Sequence, residues 1–314
     1  MSDSEWTVDR AEAGARLDKF LAAPDRLGSR GRATAALERG KVFVNGDEAA
    51  ATQGAEKLTA GDAVRVWMDR PGSAKRTSSA ATVRGAKNLE ILYEDDVLLV
   101  VDKPAGLLAV PLERREDAPS VFELLKTHLR GRKRRPFVVH RIDRDTSGLV
   151  VFTKDERWQQ QLREQFKRRE PERVYLAVVY GHPSPAEGTW RDRLVWDLKA
   201  LIMKETHPRD PQGTDAISDY RVLETFATTS LIEVRLQTGK RNQIRLQARL
   251  RGHTLVGEQR YVYGPDDLRP IAFARQALHA HRLGFRHPTT DRPVEFESAV
   301  PADLQGLLAR LRQG

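Results

Sequence analysis

The stretch "VVHRIDRDTSGLVVFTKD", Val138 to Asp155, sets two carboxylates, Asp143 and Asp145, among His140, Arg141 and Arg144, with apolar residues on either side. Short apolar runs such as "FVV" and "GLVVF" read as core strands, so the polar residues between them form a loop held at both ends. A loop fixed by two buried strands is where a fold can present a reactive side chain rigidly. The local residues leave two readings open. The charges can be an ion-pair knot that shapes a turn, with Asp145-Thr146-Ser147 supplying Asx-turn chemistry. Alternatively, neighbouring arginines keep Asp143 ionised, as a nucleophile or base.

Outward from this loop the chain alternates strand-like runs with a few helices. "LEILYEDDVLLVVDKPAGLL" gives two strand-like runs split by a Glu-Asp-Asp turn and stopped by Pro104 and Gly106. "SVFELLKTHLR" is an amphipathic helix with Ser120 as its cap, and "RWQQQLREQFKRRE" is a second helix. The basic loop "GRKRRP" (131–136) leads into the opening motif. Strand-like runs recur in "RVYLAVVYG", "AISDYRVLETF", "SLIEVRLQTG" and "PVEFESA". Without regular βαβ alternation, this predicts an α+β fold over 89–314 with a mixed, mostly antiparallel sheet and flanking helices.

Residues 70–88, "RPGSAKRTSSAATVRGAKN", carry five basic residues and no acid, with no apolar periodicity. This is the composition of a basic flexible linker, suited to lie along phosphates or to act as a solvated spacer. Ahead of it, residues 1–69 form a small module. "ARLDKFLAA" and "SRGRATAALERG" predict two helices, the second with Ser29 as N-cap and Gly40 as stop. "KVFVNGDEA" predicts a hairpin around Asn45-Gly46, and "LTAGDAVRVWM" a further turn and strand. The ordered set Arg16-Leu17-Asp18-Lys19, Ser29-Arg30, Leu37, Gly40-Lys41-Val42, Val44-Asn45-Gly46 and Gly61-Asp62 resembles the RNA-binding module of the ribosomal-protein αL type. Residues 1–69 hold ten Lys/Arg against twelve Asp/Glu, but residues 13–46 hold seven against three. Local field matters more than net charge, so Arg16, Lys19, Arg30, Arg32, Arg39 and Lys41 are candidate contacts to an RNA backbone.

Composition narrows the function classes. The 314-residue chain carries a formal charge of +9, which suits a polyanionic partner, nucleic acid before membrane. It has no cysteine, which removes disulfides, thiol nucleophiles and Cys-zinc sites. No apolar run reaches the length of a spanning helix, and the acidic start "MSDSEWTVDRAEAGARLDKF" is unlike a signal peptide. The expected location is the cytoplasm.

The longer pattern resolves the opening loop. "HRIDRDTSGLVVFTKD" looks like the signature of the RluA-type pseudouridine synthases, in which the Asp after His-Arg-hydrophobic is catalytic. "VVDKPAGLL", "ERVYLAVVYG", "TGKRNQIRLQARLRGHTLVGEQRY" and "LHAHRLGFRHP" resemble further landmarks of that family in order, over roughly 89–300. The resemblance implies an isomerase that detaches uracil from ribose in RNA, turns it and rejoins it through carbon, with no cofactor and no metal. It implies Asp143, Tyr175 and Arg245 as the catalytic set. Tyr175 would stack on the base, and Arg245 would pair with Asp143. It also implies that Arg141 fills the stack that the flipped uridine leaves. His140, Arg144, Asn242 and Gln243 are expected in support. The expected partner is ribosomal RNA, with transfer RNA as the alternative, and the expected state is a monomer.

Some positions depart from the family pattern. Asn242 and Gln247 stand where His is usual, and Glu258 where Asp is commoner. All three are expected near the substrate cleft, where they would bear on which RNA is modified. Two other classes are weighed against the isomerase. A non-catalytic RNA-assembly factor need not hold all of Asp143, Tyr175 and Arg245. A hydrolase using Asp143 and Asp145 as a pair meets the difficulty that alternate residues of an extended chain face opposite ways. His253, His279, His281 and His287 show no metal-ligand spacing.

Overall fold

A computed structural model describes residues 4–38, 40–49, 51–68, 89–111, 119–132, 134–262 and 269–313. Arg39 and the whole predicted linker 70–88 lie outside the described residues. The chain divides into two compact units, Met1–Ser79 with Trp196–Ile202 and Gln259–Val262, and the remainder.

In the first unit, β1 (Ser4–Thr7), α1 (Leu17–Leu21), α2 (Arg30–Glu38), β2 (Val42–Val44), β3 (Asp47–Glu48) and β4 (Ala63–Val66) follow in chain order. The strands form a four-stranded sheet in the order β1-β4-β2-β3. Leu17, Phe20 and Leu21 of α1 pack with Ala33, Ala36 and Leu37 of α2 over Val42, Val64 and Val66. Ser29 Oγ accepts from the Arg32 N–H at the start of α2, as an N-cap does. Asn45 and Gly46 both have positive φ, which the tight β2–β3 hairpin requires.

The second unit carries β5 (Glu90–Glu94), β6 (Leu98–Lys103), α3 (Val121–Leu129), β7 (Phe137–Val138), β8 (Ser147–Thr153) and α4 (Glu156–Lys167). Then come β9 (Glu172–Tyr180), β10 (Glu187–Asp197), β11 (Ile202–Glu205), β12 (Thr214–Thr225) and β13 (Thr229–Leu236). The chain ends with α5 (Gln243–Leu250), β14 (Leu278–Arg286), β15 (Pro293–Glu297) and α6 (Ala302–Leu311). These strands form one eleven-stranded sheet in the order β11-β10-β12-β13-β9-β14-β8-β6-β5, with β15 beside β14 and β7 beside β8. Only β14 and β8 run parallel among the described strand pairs of this sheet. The expected α+β, mostly antiparallel architecture is therefore the one found.

Alternation along the central strands sorts the core into two layers. Leu99, Val101, Val150, Phe152, Tyr175, Ala177 and Val179 face α3 and α5, joining Leu125, Leu129, Ile244 and Ala248. On the opposite face, Leu176, Val178 and Tyr180 meet Leu304, Leu307 and Leu308 of α6. Nearby on that face, Leu98, Val100, Leu149 and Val151 meet Leu162 of α4. Every residue of β8 is buried, which is why "GLVVF" reads as a continuous apolar run.

Candidate active site

The loop before β8 is held through its backbone. Ile142 is anchored in the core, and the next three carbonyls all accept hydrogen bonds. Asp143 O accepts from the Thr146 N–H at 3.2 Å, and Arg144 O from the Gly106 N–H at 2.9 Å. Arg144 O also accepts from Lys103 Nζ at 2.8 Å, and Asp145 O from the Arg275 guanidinium at 3.2 Å. Lys103 is fully buried and also donates to Pro104 O and Leu107 O. Arg275 is held in turn by Asp303 of α6, at 2.7 and 3.0 Å. At the loop's far end Gly148 has φ +111°, and a Cβ there would sit 2.1 Å from Ala280 O. Only glycine lets β8 and β14 approach this closely. Ala280 pairs with Gly148 on one side and with Tyr175 of β9 on the other, so loop end and tyrosine share one level of the sheet.

Asp143 and Arg245 meet here. The Arg245 guanidinium donates from one Nη to Asp143 Oδ2 at 3.0 Å. Its Nε and other Nη grip Glu258 side-on, at 2.7 Å each. The Asp143-facing Nη also donates to Asn242 Oδ1 at 3.3 Å. Glu258 is completely buried as a side chain, Arg245 nearly so, and Asp143 is partly open. Burial opposes the arginine's charge, but the Glu258 and Asp143 carboxylates outweigh it and raise its pKa. A permanently charged, two-point-anchored guanidinium therefore fixes one oxygen of Asp143.

Tyr175 lies in the core layer that carries Ile142 and Ile244, and burial pushes its hydroxyl up to about 12. It is a neutral phenol at ordinary pH. His140 stacks on Phe166 with ring centroids 4.8 Å apart, and its Nε2 accepts from the Val151 N–H. Burial, with a contribution from Arg173, pulls its pKa down to about 3. It is thus a neutral support for β8. Gln243 pins the start of α5: its Nε2 donates to Ile217 O and Ser218 Oγ, while its Oε1 accepts from Thr238 Oγ1 and the Lys240 N–H. Arg144 turns to Asp145 at 3.2 Å, so the two carboxylates of the opening motif engage different arginines.

Asp143, Tyr175 and Arg245 all line one cleft of about 510 Å³, together with Arg141, His140, Asn242 and Gln243. Among the described residues its charged lining consists of six basic residues, Arg141, Lys167, Arg169, Arg173, Lys240 and Arg245, and one acid, Asp143. Such a cleft focuses positive potential around a single carboxylate and suits a polyanion. Neither Gln247 nor Glu258, both expected near the cleft, is among its lining residues. Gln247 is buried, donating to Asp192 and to the carbonyls of Trp190 and Ala216, and so ties α5 to its neighbouring strands. Glu258 lies beneath Arg245. Lys167, Arg169, Arg173 and Lys240 were not singled out from sequence. For Arg173 the signal was present, since it stands two residues before Tyr175 on the same strand face.

Of the basic residues predicted in the first unit, Lys19, Arg30 and Arg32 are exposed. Arg16 is exposed too, but pairs with Asp18 at 2.8 Å. Lys41 is half-buried and donates to the Met68 carbonyl.

Comparison with known proteins bears on this arrangement. Residues 97–250 match the family model described as RNA pseudouridylate synthase. A Bacillus subtilis protein named as an RNA pseudouridine synthase is 35% identical over 317 residues, covering 100% of this chain and 99% of its own. A Zymomonas mobilis protein named ribosomal large subunit pseudouridine synthase D is 34% identical, over 99% of this chain and 98% of its own. The solved structure of human RNA pseudouridylate synthase domain containing 4 shares the fold, with a TM-score of 0.59 and 21% identity over 74% of this chain and 95% of that one. Near-complete coverage at such identity goes well beyond a shared scaffold, and the chain belongs to the RluA-type RNA pseudouridine synthases, isomerases that convert uridine to pseudouridine in RNA.

Proposed function

We propose that the chain isomerises specific uridines of large-subunit ribosomal RNA, with Asp143 as the catalytic carboxylate. The observation that carries this reading is the Asp143–Arg245–Glu258 chain of ion pairs at the wall of a basic cleft. Arg245 holds one oxygen of Asp143 in place, leaving the carboxylate partly open toward the cleft. Tyr175, neutral and buried at its edge, supplies an aromatic face for the extruded base. Arg141, exposed beside it, enters the helix and occupies the vacated stack. Extruding a paired base costs a few kcal/mol, which basic contacts along the cleft offset. Residues 1–69 act as an αL-type docking module through Arg16, Lys19, Arg30, Arg32, Arg39 and Lys41. Relatives named for the ribosomal large subunit favour ribosomal over transfer RNA. On this reading the enzyme works as a cytoplasmic monomer.

Pseudouridine mapping of ribosomal and transfer RNA, in cells with and without the gene, tests the substrate. Complementation with Asp143→Asn tests the mechanism. The variant is expected to bind RNA normally and restore no pseudouridine; restoration to the wild-type level rules out Asp143 as the catalytic group.

A further inference from the structure

Arg173 is a buried basic residue of the cleft that stands outside the Asp143–Arg245–Glu258 chain. It is only 8% exposed, yet lines the cleft. It donates to Leu236 O at 3.4 Å, and its Nε is buried with no partner among the described residues. Its guanidinium lies 5.6 Å from the centre of the Phe166 ring, and no ion pair to a carboxylate is found for it among the described residues. Burying an arginine without a counter-charge is costly, and burial does lower its pKa. The surroundings nevertheless keep room for it. A Cβ on Gly239 would come 2.4 Å from an Arg173 Nη, so the glycine preserves the guanidinium's place.

We propose that Arg173 binds a phosphodiester flanking the target uridine, supplying the counter-charge only when RNA is in the cleft. This rests on the reading that the cleft receives the flipped nucleotide. Arg173 and Tyr175 are alternate residues of β9 and face the same side, roughly 7 Å apart along the strand. A base against Tyr175 therefore leaves its own backbone within reach of Arg173. The planar guanidinium offers several donors to phosphate oxygens. Because it is buried and pre-positioned, the bond forms with little loss of side-chain freedom.

The test is a cycle between protein and RNA charge. It uses the full chain and a stem-loop carrying the mapped uridine, with either flanking phosphodiester replaced by a neutral methylphosphonate. At one of the two positions the replacement should weaken wild-type binding and kcat/KM by about tenfold to a hundredfold. Arg173→Gln should lose a similar factor on the native RNA and little more on that methylphosphonate RNA, while Arg173→Lys stays sensitive to the replacement. Additive losses at both positions would overturn the proposal and leave Arg173 a structural residue. Thermal unfolding of each variant identifies losses that come from misfolding. Repeating the binding cycle with Asp143→Asn separates the two readings: turnover by that variant refutes the mechanism, whereas coupling in affinity alone decides Arg173.

Discussion

At the scale of single residues, the candidate site is held by anchored ion pairs and neutral rings. Arg245 is clamped by a fully buried Glu258, so the freedom it would otherwise have to leave Asp143 is removed. Longer than the more usual Asp, Glu258 still reaches the guanidinium side-on. Two histidines hold β8 in place as neutral rings. His279 Nε2 donates to Ser298 O, so its Nδ1 accepts from Ser147 Oγ, and burial pulls its pKa down to about 4. His140 is pulled down to about 3. The unfolded chain binds these protons near pH 6.5, while the folded chain resists them. Their stabilisation is therefore complete above pH 6.5 and is lost as the pH falls through the folded values. Each ring contributes a slope of up to about 1.4 kcal/mol per pH unit in that window. Denaturant unfolding of His279→Gln between pH 7 and about 4 should show a shallower decline than wild type; parallel curves would mean that the ring is not held neutral.

At the scale of elements, the parallel junction of β8 and β14 sets where the Asp143 loop sits. Both flank the loop that presents Asp143, and Gly148 lets their backbones close together. Gly148→Ala should destabilise the protein by about 2–3 kcal/mol, since it combines an unfavourable φ with a backbone clash. Its midpoint of thermal unfolding should fall accordingly, and the pseudouridine-forming rate should fall further because the loop is displaced; an unchanged midpoint would mean the strands can part without cost. Strands such as β8 and β9 were legible because their apolar runs are buried on both faces. β1, β10, β11 and α6 were not. "EGTWRDRLVWD" of β10 is mostly half-buried and studded with charge, so it lacks a clean period of two. Gly306 interrupts the apolar stripe of α6, although Leu304, Leu307 and Leu308 bury it. The site followed the same division. Asp143, Tyr175 and Arg245 lie in readable motifs, whereas Arg275 reaches the loop from 130 residues away and no local pattern announces it.

At the scale of the whole molecule, the basic residues behind the net charge of +9 fall in both units. In the second unit the cleft gathers six basic residues around one carboxylate. In the first, Lys19, Arg30 and Arg32 stand exposed on α1 and α2, while Lys41 is drawn onto the Met68 carbonyl and has less reach to spare. Phosphate contacts by exposed cations release counterions, so each one steepens the fall of affinity with salt by roughly 0.7 to 0.9 in a double-logarithmic plot. These cations are remote in sequence from the catalytic set, so removing them should weaken RNA capture without touching the chemical step. A triple substitution of Lys19, Arg30 and Arg32 to Gln in the full chain tests this on a long ribosomal RNA fragment. The slope should drop by about 2 to 3 and KM should rise, with kcat on a saturating short stem-loop unchanged. If the slope stays at its wild-type value, residues 1–69 do not dock RNA through this face. The cleft's own basic residues must then supply all of the affinity.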